Sequence, residues 1–129
     1  MPTIPRFGGG AGEVSFEYGI SSLTYSGSTR YFNINTTKKA KILHFANQIR
    51  SASSNYGVGC LIIDFENNFY KVFGGYGGTN SSNDFVQDLT SYFTVTWTRT
   101  DTTLSVTITT SDSNRAFGLG MATHYYIRT

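Results

Sequence analysis

The sequence predicts an all-β protein: an antiparallel β-sandwich, jelly-roll-like, of about eight strands behind an extended Gly-rich N-terminal arm. Three observations carry this. Apolar residues alternate with period two in segment after segment, the spacing at which a strand separates its two faces. Runs of Gly, Ser, Asn and Asp bracket those segments, as turns require. No segment sustains helical periodicity long enough for a long helix.

The elements follow in chain order. Both prolines, Pro2 and Pro5, precede Gly8, Gly9, Gly10 and Gly12, so residues 1–12 read as an arm, stiff first and hinged after. Ile4, Pro5 and Phe7 are its candidate apolar anchors, for a neighbouring subunit or, alternatively, for its own domain. The sandwich domain is expected over residues 13–129. In its first strand Val14, Phe16, Tyr18 and Ile20 alternate with Ser15, Glu17 and Gly19. Leu23 to Tyr25 is a short edge piece, and Thr29 to Asn35 and Ala40 to Ala46 are strands. Asn47 to Asn55 is polar and reads as a loop or one helical turn. Val58 to Glu66 is nearly continuously apolar, a central buried strand. Asn67-Asn68 suits a two-residue hairpin turn, with Phe69 to Phe73 returning. Gly74 to Asn83 is a glycine-rich loop, and Asp84 to Ser91 a short helix capped by Asn83 or Asp84. Tyr92 to Thr110 is the clearest hairpin, reversing at Thr100, Asp101 and Thr102. One face carries Phe93, Val95, Trp97, Leu104, Val106 and Ile108, the other Thr94, Thr96, Thr98, Ser105, Thr107 and Thr109. A last strand spans Leu119 to Thr129.

Composition narrows the function classes. Charged residues are 14% of the chain, well below the usual quarter, while Ser, Thr, Asn and Gly make up 55 of 129 residues. A surface of that kind packs against copies of itself, or faces sugars, without desolvating many charges. Net charge is +2, and the only basic cluster, Lys38, Lys39 and Lys41, reads as a solvated strand start, so no nucleic-acid stripe is present. Cys60, the single cysteine, sits in an apolar run and reads as a buried, inert thiol. The chain shows no secretory leader pattern and no apolar run of membrane-spanning length, so no membrane insertion is expected.

No constellation demands catalysis, a cofactor or a metal. The run Gly74 to Ser81 lacks the lysine of a phosphate loop. It reads first as a flexible connection between strands, and as the alternative a contact loop, with Tyr76 as a rigid amphipathic anchor and Thr79, Asn80 and Asn83 as candidate polar contacts. His44 and His124 stand eighty residues apart, too few ligands for zinc, and read as structural or surface histidines. Asp64 and Glu66 are two apart on one strand, a pairing that serves glycoside hydrolysis but is weak by itself. The threonine face has the motif of ice-binding solenoids, yet in one hairpin only, and is read as plain sheet surface.

The arm from Met1 to Gly12, the polar-aromatic strands and the Thr-rich hairpin together resemble small virion proteins of tailed bacteriophages and prophages. The resemblance carries no diagnostic motif and assigns no functional residue. It implies a non-enzymatic tail, fibre or capsid accessory component, made in the host cytoplasm and located in the virion. It further implies a homo-oligomer, a trimer in the first place, in contact with other virion proteins and a cell-surface glycan. A soluble lectin or carbohydrate-binding module is the alternative, and a hydrolase using Asp64 and Glu66 a third.

Overall fold

A computed structural model of the chain describes residues 15–52, 55–74, 87–112, 115–118 and 122–129. The described residues form eleven strands in two antiparallel sheets. They are β1 (Phe16–Ser22), β2 (Thr24–Ser26), β3 (Thr29–Asn35), β4 (Ile42–Ala52), β5 (Asn55–Asp64), β6 (Phe69–Gly74), β7 (Gln87–Asp88), β8 (Phe93–Arg99), β9 (Thr103–Thr110), β10 (Ala116–Phe117) and β11 (Ala122–Arg128). The large sheet has the order β1-β11-β4-β5-β6-β7, with β10 pairing the far end of β4, and the small sheet β2-β3-β9-β8. From β4 to β7 the chain meanders between neighbours. β1 and β3 instead each pair with a strand from the C-terminal third.

One hydrophobic core fills the space between the sheets, which makes the molecule a sandwich. The inward residues of β4 and β5 include Leu43, Phe45, Ile49, Leu61 and Ile63, and those of β3, β8 and β9 include Phe32, Val95, Leu104, Val106 and Ile108. Aromatic rings bridge the layers. Phe45 stacks on Phe32 with centroids 5.3 Å apart and meets the Phe117 ring edge-on at 5.0 Å. The hairpin of β8 and β9 has the predicted faces, with Thr94, Thr96 and Thr98 exposed and Val95, Val106 and Ile108 buried. Trp97, on the inward side, is partly buried against Phe65 and Tyr70.

Three local expectations are corrected. The polar stretch from Asn47 is no loop: β4 continues to Ala52 and pairs with β5 as far as Asn55, with a register shift between Arg50 and Ala52. Asn47 fits inside because its side-chain amide donates to the Thr123 hydroxyl at 2.7 Å, and Ile49 beyond it is fully buried. The β5–β6 connection holds four residues, Phe65 to Asn68, rather than two, since Asp64 pairs with Phe69. Asn68 does take the left-handed conformation, at φ 52°, while Phe65 turns back into the core. Of the expected helix, residues 84–86 lie outside the described residues. Gln87 and Asp88 pair as a strand with β6, and Thr90–Tyr92 form a 3-10 turn. Here the backbone bonds sideways: Leu89 donates to the Val72 carbonyl at 2.8 Å, and the Thr90 hydroxyl accepts from the Val72 amide at 3.0 Å.

Asp88 anchors this edge. It accepts from the Thr90 hydroxyl and amide and from Lys71 at 3.1 Å, and these bonds pull its carboxyl down to about 2. Folding thus lowers this group below its ordinary value of 3.8, so the unfolded chain binds more protons between those limits. Its contribution is complete above pH 3.8 and is lost as pH falls through about 2. Melting curves of wild type and Asp88→Asn should therefore differ at neutral pH and converge near pH 2.

Candidate functional site

Strand alternation gives the large sheet a second face, directed away from the core. Its side chains align in cross-strand rows. One row runs Ile20, His124, Ala46, Cys60, Phe73. The next runs Tyr18, Tyr126, His44, Ile62, Lys71, and the third Phe16, Arg128, Ile42, Asp64, Phe69. Only three of these fifteen positions, Lys71, Arg128 and Asp64, carry a full charge at neutral pH. Tyr18 is 63% exposed, Ile20 58%, Phe16 54% and Phe69 50%, and Val58, beside the first row, is 74% exposed.

β1 thus turns the apolar side of its alternation away from the core. Its inward positions are Glu17, Gly19 and Ser21. The Tyr125 side chain lies beneath Gly19 and leaves no room there for a Cβ, so a glycine is needed. Glu17 is held at the margin, accepting from the Thr37 amide at 3.1 Å and hydroxyl at 2.8 Å. With its inner side filled by a neighbour's ring, β1 presents its larger residues outward.

The outer residues are organised among themselves. Phe16 stacks on Tyr126 at 5.1 Å, His44 meets the same ring edge-on, and the Tyr18 hydroxyl lies 2.7 Å from His124 Nδ1. Tyr18, His44, His124 and Tyr126 rim a depression of about 240 Å³ floored by Ala46 and Cys60. Both histidines therefore share one surface. Cys60 is not a core residue: it is half-buried in this floor, where desolvation pushes its thiol up.

Other predicted positions stand apart from this face or outside the described residues. Ile4, Pro5 and Phe7 of the arm and Tyr76, Thr79, Asn80 and Asn83 of the contact loop lie outside them. Asp64 and Glu66 do not share a strand face, because β5 ends at Asp64 and Glu66 lies in the exposed turn. The side-chain amide of Asn67 holds the Asp64 carboxyl below its usual range, with Arg128 adding to the effect. A general acid for glycoside cleavage needs the opposite shift. Lys38, Lys39 and Lys41 are exposed, as expected of a solvated strand start.

The face was missed in the sequence because it is assembled from five strands that are not consecutive. The readable signal was Gly19 and Ser21 opposite Tyr18 and Ile20 in β1, small residues where a core face would be bulky. Comparison with protein-family models, curated proteins and solved structures finds no match for this chain. Among the described residues no group of His, Cys, Asp or Glu is placed to hold a metal ion, and no helix is long and apolar enough to cross a membrane.

Proposed function

We propose that this protein is a non-enzymatic structural component that works by assembly, in the manner of the small tailed-phage virion proteins its sequence resembles. The observation that carries the proposal is the outer face of the large sheet. Monomeric proteins rarely expose contiguous apolar patches larger than a few hundred Å², whereas rows of aromatic and aliphatic side chains over five strands match the apolar centre of a permanent interface. The opposite outer face supports the same reading by contrast. On β3, β8 and β9 it carries Tyr31, Asn33, Thr94, Thr96, Thr98, Ser105 and Thr107, a hydroxylated surface suited to water. The molecule thus has one face to bury and one to expose.

A carbohydrate-binding reading draws on the ring-lined depression, since sugar faces stack on exposed Tyr. The aliphatic side chains of Ile20, Val58 and Ile62 fit it less well, because they offer a sugar neither a stacking plane nor hydrogen bonds. Light scattering on the purified full chain tests the assembly proposal: a multiple of the 14.2 kDa chain mass is expected. A strict monomer that gains mass with no copurified partner would overturn it. A positive glycan array from such a monomer would favour the carbohydrate reading.

A further inference from the structure

We infer that the outer face of the large sheet is covered by the same face of a second copy, about a two-fold axis running along β4. The inference rests on the assembly reading and adds its partner and geometry. β4 is the middle of the five strands that build the face, in the order β1-β11-β4-β5-β6. A two-fold parallel to it lays β11 of one copy over β5 of the other, and β1 over β6. Because the axis runs along the strands, each cross-strand row then faces the same row of the second copy.

The first and third rows are complementary under this operation, and in the second Lys71, which pairs with Asp88 of its own chain, comes opposite Tyr18. In the third row, Arg128 on β11 comes opposite Asp64 on β5 of the second copy, and the symmetry makes that pair twice. Of the charged residues in the rows, these two are thereby matched with each other. Phe16 on β1 comes opposite Phe69 on β6, and Ile20 opposite Phe73. In these two rows apolar edges meet apolar edges, and the single cation of the third row meets its single anion. Within one chain Arg128 acts on the Asp64 carboxyl only across Ile42, at two strand spacings, roughly 10 Å between backbones. The second copy supplies the close partner.

The size also fits. Five strands at about 4.8 Å and seven residues at about 3.4 Å give a footprint of roughly 24 by 24 Å, on the order of 600 Å² per copy. Twice that reaches about 1,200 Å², the lower bound of specific stable interfaces. Two sheets of like twist, stacked with strands nearly aligned, are the usual sheet-on-sheet packing, so the dimer would repeat outside the molecule the arrangement already present inside it.

Charge reversal tests this directly. Wild type should have the mass of a dimer. Arg128→Glu alone places like charges opposite each other at both pairs, as does Asp64→Lys alone, and each should weaken the dimer by on the order of a hundredfold. An equimolar mixture of the two should restore it, since the mixed dimer has both pairs with opposite charges. Asp64 also holds Asn67 in the β5–β6 turn, so Phe16→Asp mixed with Phe69→Lys provides a second pair at exposed positions. Circular dichroism should show each variant folded. If wild type is a trimer, or if the single variants dimerise like wild type, the two-fold contact is overturned and the assembly reading stands. Single variants that are monomeric and stay so when mixed, for both residue pairs, overturn it equally. A wild type that is monomeric at every concentration, with no partner, overturns both.

Discussion

Replacing Phe45 by alanine is expected to cost the fold about 3–5 kcal/mol, the range for removing a large aromatic from a closed core. Phe45 is 1% exposed and lies where the two sheets meet, stacked on Phe32 from β3 and met edge-on by Phe117 from β10. Its loss removes ring contacts on both sides, and the β-sheet backbones on either side limit how far the void can collapse. For a domain of this size, that penalty lowers the melting temperature by roughly 10–18 °C. Tyr126→Ala removes a ring of similar size from the other face of the same sheet. Tyr126 is 42% exposed, so the monomer should lose far less. Thermal melts of the two variants at a concentration where wild type is monomeric check both statements. Equal losses would mean that the inner and outer faces are wrongly assigned.

How much of this could be read from the chain depended on whether the deciding partner was local. The hairpin of β8 and β9 was legible because both its strands, its turn and its face assignment are contained in nineteen residues, Tyr92 to Thr110. Thr29 to Asn35 was legible as a strand for a related reason: its alternation is contained in seven residues. β1 has equally clear alternation, yet its larger residues face outward. A period of two separates two faces without saying which is inside, and here Tyr125, more than a hundred residues away, fills the inner side. The continuation of β4 past Asn47 failed likewise, because its buried amide is satisfied by Thr123, seventy-six residues on. The candidate site was least legible of all. None of its rows is a sequence motif, and each exists only once β11 is inserted between β1 and β4.

The same topology explains why the two outer faces differ. The small sheet takes its outward residues from segments where Thr, Ser and Asn occupy alternate positions, and those residues are favourable on a solvated strand surface. The large sheet places Phe, Tyr, Ile and Val at the equivalent positions, where each leaves apolar area in water unless something covers it. Packing among the described residues gives no account of them. Ile20 and Val58 make no contribution to the core cluster, and their exposure adds an aggregation hazard to a chain with few charges. A face that is costly to the free monomer is what the proposed assembly would cover.

The combined variant Tyr18→Ser, Ile20→Lys, Val58→Lys should therefore remain folded and lose self-association. The three side chains are 63%, 58% and 74% exposed, so surface substitution there should change monomer stability by only about 0.5 kcal/mol each. The proposed interface should be affected far more. Covering about 100 Å² of each apolar side chain contributes on the order of 2 kcal/mol, and the added lysines would have to be desolvated. Loss of all three should weaken association by at least about a thousandfold. Thr94→Lys with Thr96→Lys, on the hydroxylated face of the small sheet, introduces the same charge without touching the apolar rows, and association should persist. Sedimentation velocity over a concentration series, with circular dichroism on each variant, separates these outcomes. A triple variant that associates like wild type, or a threonine-face variant that dissociates, would show that the contact surface lies elsewhere. The pair of variants thus decides which face is buried in the assembly, independently of how many copies it contains.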